Sequence, residues 1–149
     1  MIKENEIKKN LIVLLSISAL IRGFLAFFIE FGNDEVYYWT YAMYPDWSHF
    51  DHPPMVGLFI QLFSGNLFFT SEFFLRLSSV ICMTVNTYLI FLIGKQVKNE
   101  QTGFYAALLY TASIYAFVIT GVFILPDTPL SIFTLLSVLF FIKYFQIGN

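Results

Sequence analysis

Four stretches of this chain are too long and too apolar for the interior of an ordinary soluble domain. They run from Leu11 to about Ile29, from about Phe73 to Gly94, from about Thr102 to Gly121 and from about Pro129 to Ile142. A helix needs roughly 20 apolar residues to cross a bilayer's hydrocarbon layer, and the fourth stretch reaches that length when its flanks extend it to residues 125–145. Composition agrees: 58% of residues are apolar and 12% are charged, against about 25% charged in soluble domains. The first stretch follows Lys3, Lys8 and Lys9, as a secretory signal would, yet it lacks a small-residue cleavage site and reads as a retained span. The expected fold class is therefore an all-α membrane protein. It has about four transmembrane helices, at 11–29, 73–94, 102–121 and 125–145, and a long loop at 30–72. The apolar part of that loop, Pro54 to Phe69, reads as an interfacial helix, or as a fifth span that would invert everything after it.

Lysine placement favours four spans. Lys3, Lys8, Lys9, Lys95, Lys98 and Lys143 then share one face, and residues 30–72 contain no lysine or arginine. By the positive-inside rule both termini are cytoplasmic and the 30–72 loop is extracytoplasmic, in a multi-pass protein of the cell's inner membrane. Asp127 falls at the outer junction of the third and fourth spans, on the same face as Asp34 and Asp51. Arg22 and Arg76 lie in the outer halves of their spans, where an uncompensated charge costs about 2.5–3.5 kcal/mol and calls for an acidic or phosphate partner. No basic stripe suits nucleic acid, so that class of partner is excluded. Cys82 is the only cysteine, so the chain builds no internal disulfide or thiolate metal site.

The polar chemistry gathers in the loop. Gly32-Asn33 is a turn signal with Asn33 as a fair N-cap, so Asp34 and Glu35 open a short helix that runs to about Tyr44 and ends at Pro45. Helical spacing puts Asp34, Tyr38 and Tyr41 on roughly one face, while Trp39, Trp47 and Phe50 suit the headgroup zone. An interfacial helix with a solvated acidic start satisfies the same residues. In Asp51-His52-Pro53-Pro54 the prolines stiffen a corner. Both histidines of the chain, His49 and His52, fall within four residues there, beside one Asp, an incomplete set for a metal. Asp127 is open to a structural reading too, as the cap of the fourth span.

Asn33-Asp34-Glu35-Val36-Tyr37-Tyr38-Trp39, then Phe50-Asp51-His52-Pro53-Pro54-Met55-Val56-Gly57, then Leu125-Pro126-Asp127-Thr128-Pro129-Leu130 resemble, in order, the N-terminal part of the GT-C integral-membrane glycosyltransferases. Among these the chain is most similar to bacterial proteins related to protein O-mannosyltransferases and to the lipid A aminoarabinose transferase. The resemblance spans the whole chain but only the first third or so of such an enzyme, so the chain is expected to be an N-terminal fragment with little activity alone.

The resemblance implies transfer of a sugar from a polyprenyl-phosphate donor to a hydroxyl of a lipid, glycan or protein acceptor at the outer membrane face. It further implies catalytic roles for Asp34, as base, and for Asp127. Substrate contacts are expected from Glu35, Tyr38, His49, His52 and Arg76; His52 stands where the aminoarabinose transferase has a lysine at the lipid phosphate. The one cofactor it leaves room for is a divalent metal ion, at Asp51. The competing reading is a non-catalytic four-helix scaffold or a small transporter, although a transporter would be expected to hold ionisable groups near mid-membrane.

Overall fold

The computed structural model describes residues 4–147, so Lys3 lies outside the described residues. Among those residues every regular element is helical. They are α1 (Glu4–Phe28), α2 (Asn33–Met43), α3 (Met55–Phe63), α4 (Glu72–Val97), α5 (Glu100–Ala112), a π-helical segment Tyr115–Ile119 running into the short α6 (Thr120–Val122), and α7 (Asp127–Ile147). The chain is an all-α membrane protein. α1, α4 and α7 are each long and apolar enough to cross a membrane, and α5 with Tyr115–Val122 makes a fourth crossing if the bent pair is one span.

α4 is the central helix and packs against α1, α3, α5 and α7. Its buried face carries small and weakly polar residues, Ser78, Ser79, Cys82, Asn86 and Thr87, which let neighbours approach and bond across the interface. Ser79 donates to the Phe123 carbonyl at 2.9 Å and Asn86 Nδ2 donates to Ser131 Oγ at 2.7 Å. Where α4 meets α5 the contact is glycine on glycine: a Cβ on Gly94 would stand 2.7 Å from the Gly103 Cα. At that end Ile7 and Leu11 of α1 pack with Phe91 and Ala107, and Gln146 of α7 bonds the Gln96 carbonyl at 2.9 Å. The lysines of α1 and α4 thus gather at one end of the bundle, and the loop acids at the other.

The third crossing departs from the expected straight span over 102–121. α5 stops at Ala112, Ser113 is extended with ψ 126°, and the chain resumes at an angle of 75°. No proline is present to cause this; the π-helical turn and a tertiary contact do. Arg22 of α1 is fully buried and its Nε donates to the Phe117 carbonyl at 3.4 Å, with the guanidinium 4.9 Å from the Phe117 ring centroid. Gly121 makes the room, since a Cβ there would meet Arg22 Nε at 2.9 Å. The acidic or phosphate partner expected for Arg22 is not among the described residues, and its Nη1 and Nη2 carry no hydrogen bond.

The 30–72 loop folds into a cap over the start of α4. α3 has nine residues, about 14 Å of helix, too short to be the fifth span. Gly57 lies flat on α2, where a Cβ would come within 2.7 Å of the Tyr41 carbonyl carbon, and Gln61 Nε2 donates to the Ala42 carbonyl at 2.9 Å, satisfying a helix-end acceptor. Tyr38, Tyr41, Ala42, Val56, Ile60, Leu75 and Ile124 form the core beneath the cap. The N-cap of α2 is Gly32, one residue before the Asn33 expected, and α3 spans a shorter stretch than 54–69, because Gly65, Asn66 and Leu67 turn the chain with positive φ.

Candidate functional site

The loop end of the bundle is organised around a buried ion pair. Glu35 and Arg76 are 2% and 0% exposed, and their side chains meet twice, Arg76 Nε on Glu35 Oε1 at 2.7 Å and Arg76 Nη2 on Oε2 at 2.5 Å. The remaining guanidinium protons go to main-chain carbonyls at the end of α1: Ala26 at 3.2 Å, Glu30 at 2.9 Å, and Ile29. All five N–H donors of an arginine are thereby engaged. Glu35 is equally saturated, accepting from the Gly32 N–H at 3.0 Å and the Ile124 N–H at 3.1 Å. Phe31 and Phe123 close over the guanidinium, with ring centroids 4.8 and 5.6 Å away. These bonds tie α1, α2, α4 and the strap before α7 to one point. They give Arg76 the acidic partner its depth demands and engage the polar atoms of both side chains expected to contact substrate.

Asp51 is held on the cap by two phenols. Tyr37 donates to its Oδ1 at 2.8 Å and Tyr41 donates to the same oxygen, the two hydroxyls lying 3.0 Å apart. The two phenolic donors hold the Asp51 carboxyl below the usual carboxylate range, Tyr41 first and Tyr37 second. Burial, then the bonds to Asp51 and Tyr37, push the Tyr41 phenol far up. His49 stacks on the Tyr41 ring at 3.6 Å between centroids, and its buried Nε2 has no partner. His52 Nε2 stands 3.7 Å from Asp51 Oδ2. Among the described residues no three His, Cys, Asp or Glu side chains converge on one point. Asp51 and His52 are then the donors on offer, too few for a metal centre built from these residues alone.

Asp34 and Asp127 are exposed and stand in different clefts. Asp34 lines a cleft of about 480 Å³ between the start of α2 and the Ile119, Phe123 and Leu125 side of the strap. Asp127 opens α7 and lines two others: one of about 330 Å³ shared with His52, Met55 and Phe133, and one of about 360 Å³ that descends beside α7. What joins the acids is Tyr38. Its phenol is pushed up first by burial and then by the charges of Asp51, Asp34 and Asp127, so all three carboxylates lie within electrostatic reach of one hydroxyl. α2 buries Glu35, Tyr38, Tyr41 and Ala42, while Asp34, in the first turn on the side of Tyr38 and Tyr41, is left exposed at the rim.

Sequence reasoning missed Tyr37, the second clamp on Asp51, whose signal was its i, i+4 spacing from Tyr41. Glu35 and Arg76, read from the sequence as substrate contacts, pair with each other in the structure. No curated protein and no solved structure matches the chain. A family model described as dolichyl-phosphate-mannose-protein mannosyltransferase does match, over residues 51–149, which includes the Asp51 corner, Arg76, the strap and Asp127. With three carboxylates gathered at one end of a membrane bundle and this match over most of its length, the chain belongs to the dolichyl-phosphate-mannose-protein mannosyltransferase family.

Proposed function

We propose that the chain contributes to a glycosyltransferase site that moves a sugar from a polyprenyl-phosphate carrier to an acceptor hydroxyl at the extracytoplasmic face of the inner membrane. In this reading its activity is of the kind carried out by the bacterial enzymes related to protein O-mannosyltransferases and by the lipid A aminoarabinose transferase. The observation that supports it best is the placement of Asp34, Asp51 and Asp127 at the end of the bundle opposite the lysines, with Asp34 and Asp127 each lining a cleft. Asp34 takes the part of base: it is exposed, lines a cleft, and no hydrogen bond or ion pair engages its carboxylate among the described residues.

In the step proposed, the acceptor oxygen forms a bond to the anomeric carbon as the bond from that carbon to the phosphate oxygen breaks. The phosphate leaves with the electron pair as polyprenyl phosphate, and the acceptor's proton passes to Asp34. A sugar phosphate already brings its leaving group, so an ordinary carboxylate base suffices. With Arg76 fully engaged and Arg22 enclosed, His52 is the basic side chain of this chain that faces a cleft beside Asp127, and it is assigned to the leaving phosphate, as a hydrogen-bond donor. Asp127 is assigned to the acceptor side. A divalent ion at Asp51 would draw its further ligands from substrate oxygens, and the scheme routes no step through one.

Asp34→Asn in the enzyme reconstituted with polyprenyl-phosphate-mannose should abolish transfer while expression and membrane insertion stay at wild-type level. Retained turnover removes Asp34 as base. An alanine at Asp34 and at Asp127 that leaves every phenotype intact would favour the scaffold reading.

A further inference from the structure

We infer that Tyr115 is a positioning residue: its phenol, brought beside α7 by the break in the third crossing, fixes the Asp127 carboxylate so that one oxygen is left for the acceptor hydroxyl. The inference rests on the glycosyltransferase reading, in which Asp127 serves the acceptor. Tyr115 and Asp127 line the same cleft of about 360 Å³. There the Tyr115 hydroxyl stands near enough to the Asp127 carboxylate to interact with it by charge and as a hydrogen-bond donor. Thr120, Ser131 and Thr134 of the same cleft give their hydroxyls to main-chain carbonyls at 3.1, 2.8 and 2.9 Å, and Tyr110 turns to Met83 Sδ at 3.3 Å. Tyr115 is turned to the acid instead.

The break accounts for the placement. α5 rises for 13 residues from the lysine end, about 20 Å, which is two-thirds of a hydrocarbon layer roughly 30 Å thick. The chain then continues at 75°, so Tyr115–Val122 runs across the bundle beside the start of α7 rather than climbing past it. Its π-helical turn begins at Tyr115 itself. Such turns are rare and recur at functional sites, where they re-aim a side chain.

Buried bonds hold the two residues at a fixed spacing. The Tyr115 carbonyl accepts both from the Thr120 N–H and from the Thr120 hydroxyl. The Thr120 carbonyl in turn accepts from the Thr128 hydroxyl at 3.0 Å, and Thr128 adjoins Asp127. Both threonines are sealed from solvent, at 1% and 2% exposed. From the other side Arg22 Nε donates to the Phe117 carbonyl, and the Phe117 N–H bonds the Ser113 carbonyl at 2.8 Å. A site side chain is aimed well only when the residues behind it are themselves locked, and here the main chain is locked on both sides of the cleft. An aspartate at the start of a helix has several rotamers open to it, and a donor held at a set distance selects one. A phenol donating to one carboxylate oxygen leaves the second oxygen to accept from the acceptor's O–H.

The test uses the full-length enzyme in native membranes supplied with labelled polyprenyl-phosphate-mannose. Tyr115→Phe keeps the ring and loses the hydroxyl. The initial rate of transfer into the endogenous acceptors should fall about tenfold, while the donor concentration for half-maximal rate stays within about twofold of the parent and the melting temperature does not change. Infrared difference spectra read the contact itself. Subtracting Asp127→Asn from the parent isolates the Asp127 carboxylate bands, and these should move when the same subtraction is made in the Tyr115→Phe background. Bands that stay in place, or a rate within about twofold of the parent, overturn the inference. A slower rate joined to a lower melting temperature and unmoved bands marks a packing role and overturns it as well. Bands that move in a parent that transfers no mannose refute the glycosyltransferase reading, and this role falls with it.

Discussion

Replacing Arg76 by methionine should be among the most costly single changes in the described part of the chain. The substitution keeps an unbranched apolar stem but removes the guanidinium and its five donors at once. Glu35 is left as a buried carboxylate with two main-chain donors, Gly32 and Ile124, and the carbonyls of Ala26, Ile29 and Glu30 lose their partner. Breaking one side of a buried pair costs about 3–5 kcal/mol, and each orphaned buried acceptor adds up to about 1–3 kcal/mol unless water enters. A loss of about 5 kcal/mol is expected, a large share of the 5–15 kcal/mol typical of a folded protein. Glu35→Gln should cost less, about 2–3 kcal/mol, because the amide retains one acceptor for Arg76 and Arg76 keeps its three carbonyls. Denaturant unfolding in detergent micelles, run as a double-mutant cycle with the two substitutions, measures both. The double variant should fall short of the summed losses by about 1–3 kcal/mol. A cost under about 1 kcal/mol for Arg76→Met, or strict additivity in the cycle, refutes the idea that this pair fixes the end of the bundle.

Three further outcomes are expected. Gly57→Ala forces a Cβ to within 2.9 Å of three Tyr41 atoms, so it should separate α2 from α3 and cost about 1–3 kcal/mol in thermal unfolding; a change within error would mean the cap is not packed as described. Because the folded-state value of Asp51 is lowered, its stabilising contribution is complete above the ordinary carboxylate range and is lost as pH falls through the lowered value. A melting-temperature series from neutral pH to about pH 3 should therefore show an acid slope that is weakened in Tyr37→Phe/Tyr41→Phe, and equal slopes in the two proteins would discard the clamp. Orientation is tested by Ser48→Cys, since Ser48 is exposed and the native Cys82 is buried: an impermeant thiol reagent should label it in intact cells, and labelling only after lysis reverses the topology.

What could be read from the sequence was whatever local chemistry punctuates. The cap helices were legible because Gly32, Pro45 and Pro53-Pro54 mark their ends, and the long spans because their apolar runs fill a bilayer. The break at Ser113 was not, since no proline interrupts 102–121; it goes with a contact between Arg22 and the carbonyl of Phe117, ninety-five residues further along the chain, beside Gly121. Neighbouring acids posed the same difficulty at smaller scale. Asp34 and Glu35 differ by about 100° around α2, and which of them turns inward depends on how α2 seats on α4, a tertiary fact. Arg76 was recognisable as a charge in need of a counter-charge, and the sequence offered the loop's acid and the substrate's phosphate as equals. His52 on the Asp127 cleft was within reach of sequence reasoning, whereas the assignment of Asp51 to Tyr37 and Tyr41 required the packing of the corner back onto α2.

The ties that converge on Glu35 also impose an order on biogenesis. Its partners emerge from the ribosome far apart: Gly32 first, Arg76 with the next long helix, and Ile124 only after the bent crossing has been made. Until Arg76 arrives, α2 has nothing to seat its acid against, and until Ile124 arrives the cleft beside Asp34 has no far wall. A nascent chain threaded only as far as its second long helix would expose Asp34 to water without a pocket around it. The carboxylate proposed to handle a reactive sugar phosphate is thus enclosed late in synthesis, when the segment that forms the other side of its cleft has been delivered to the membrane.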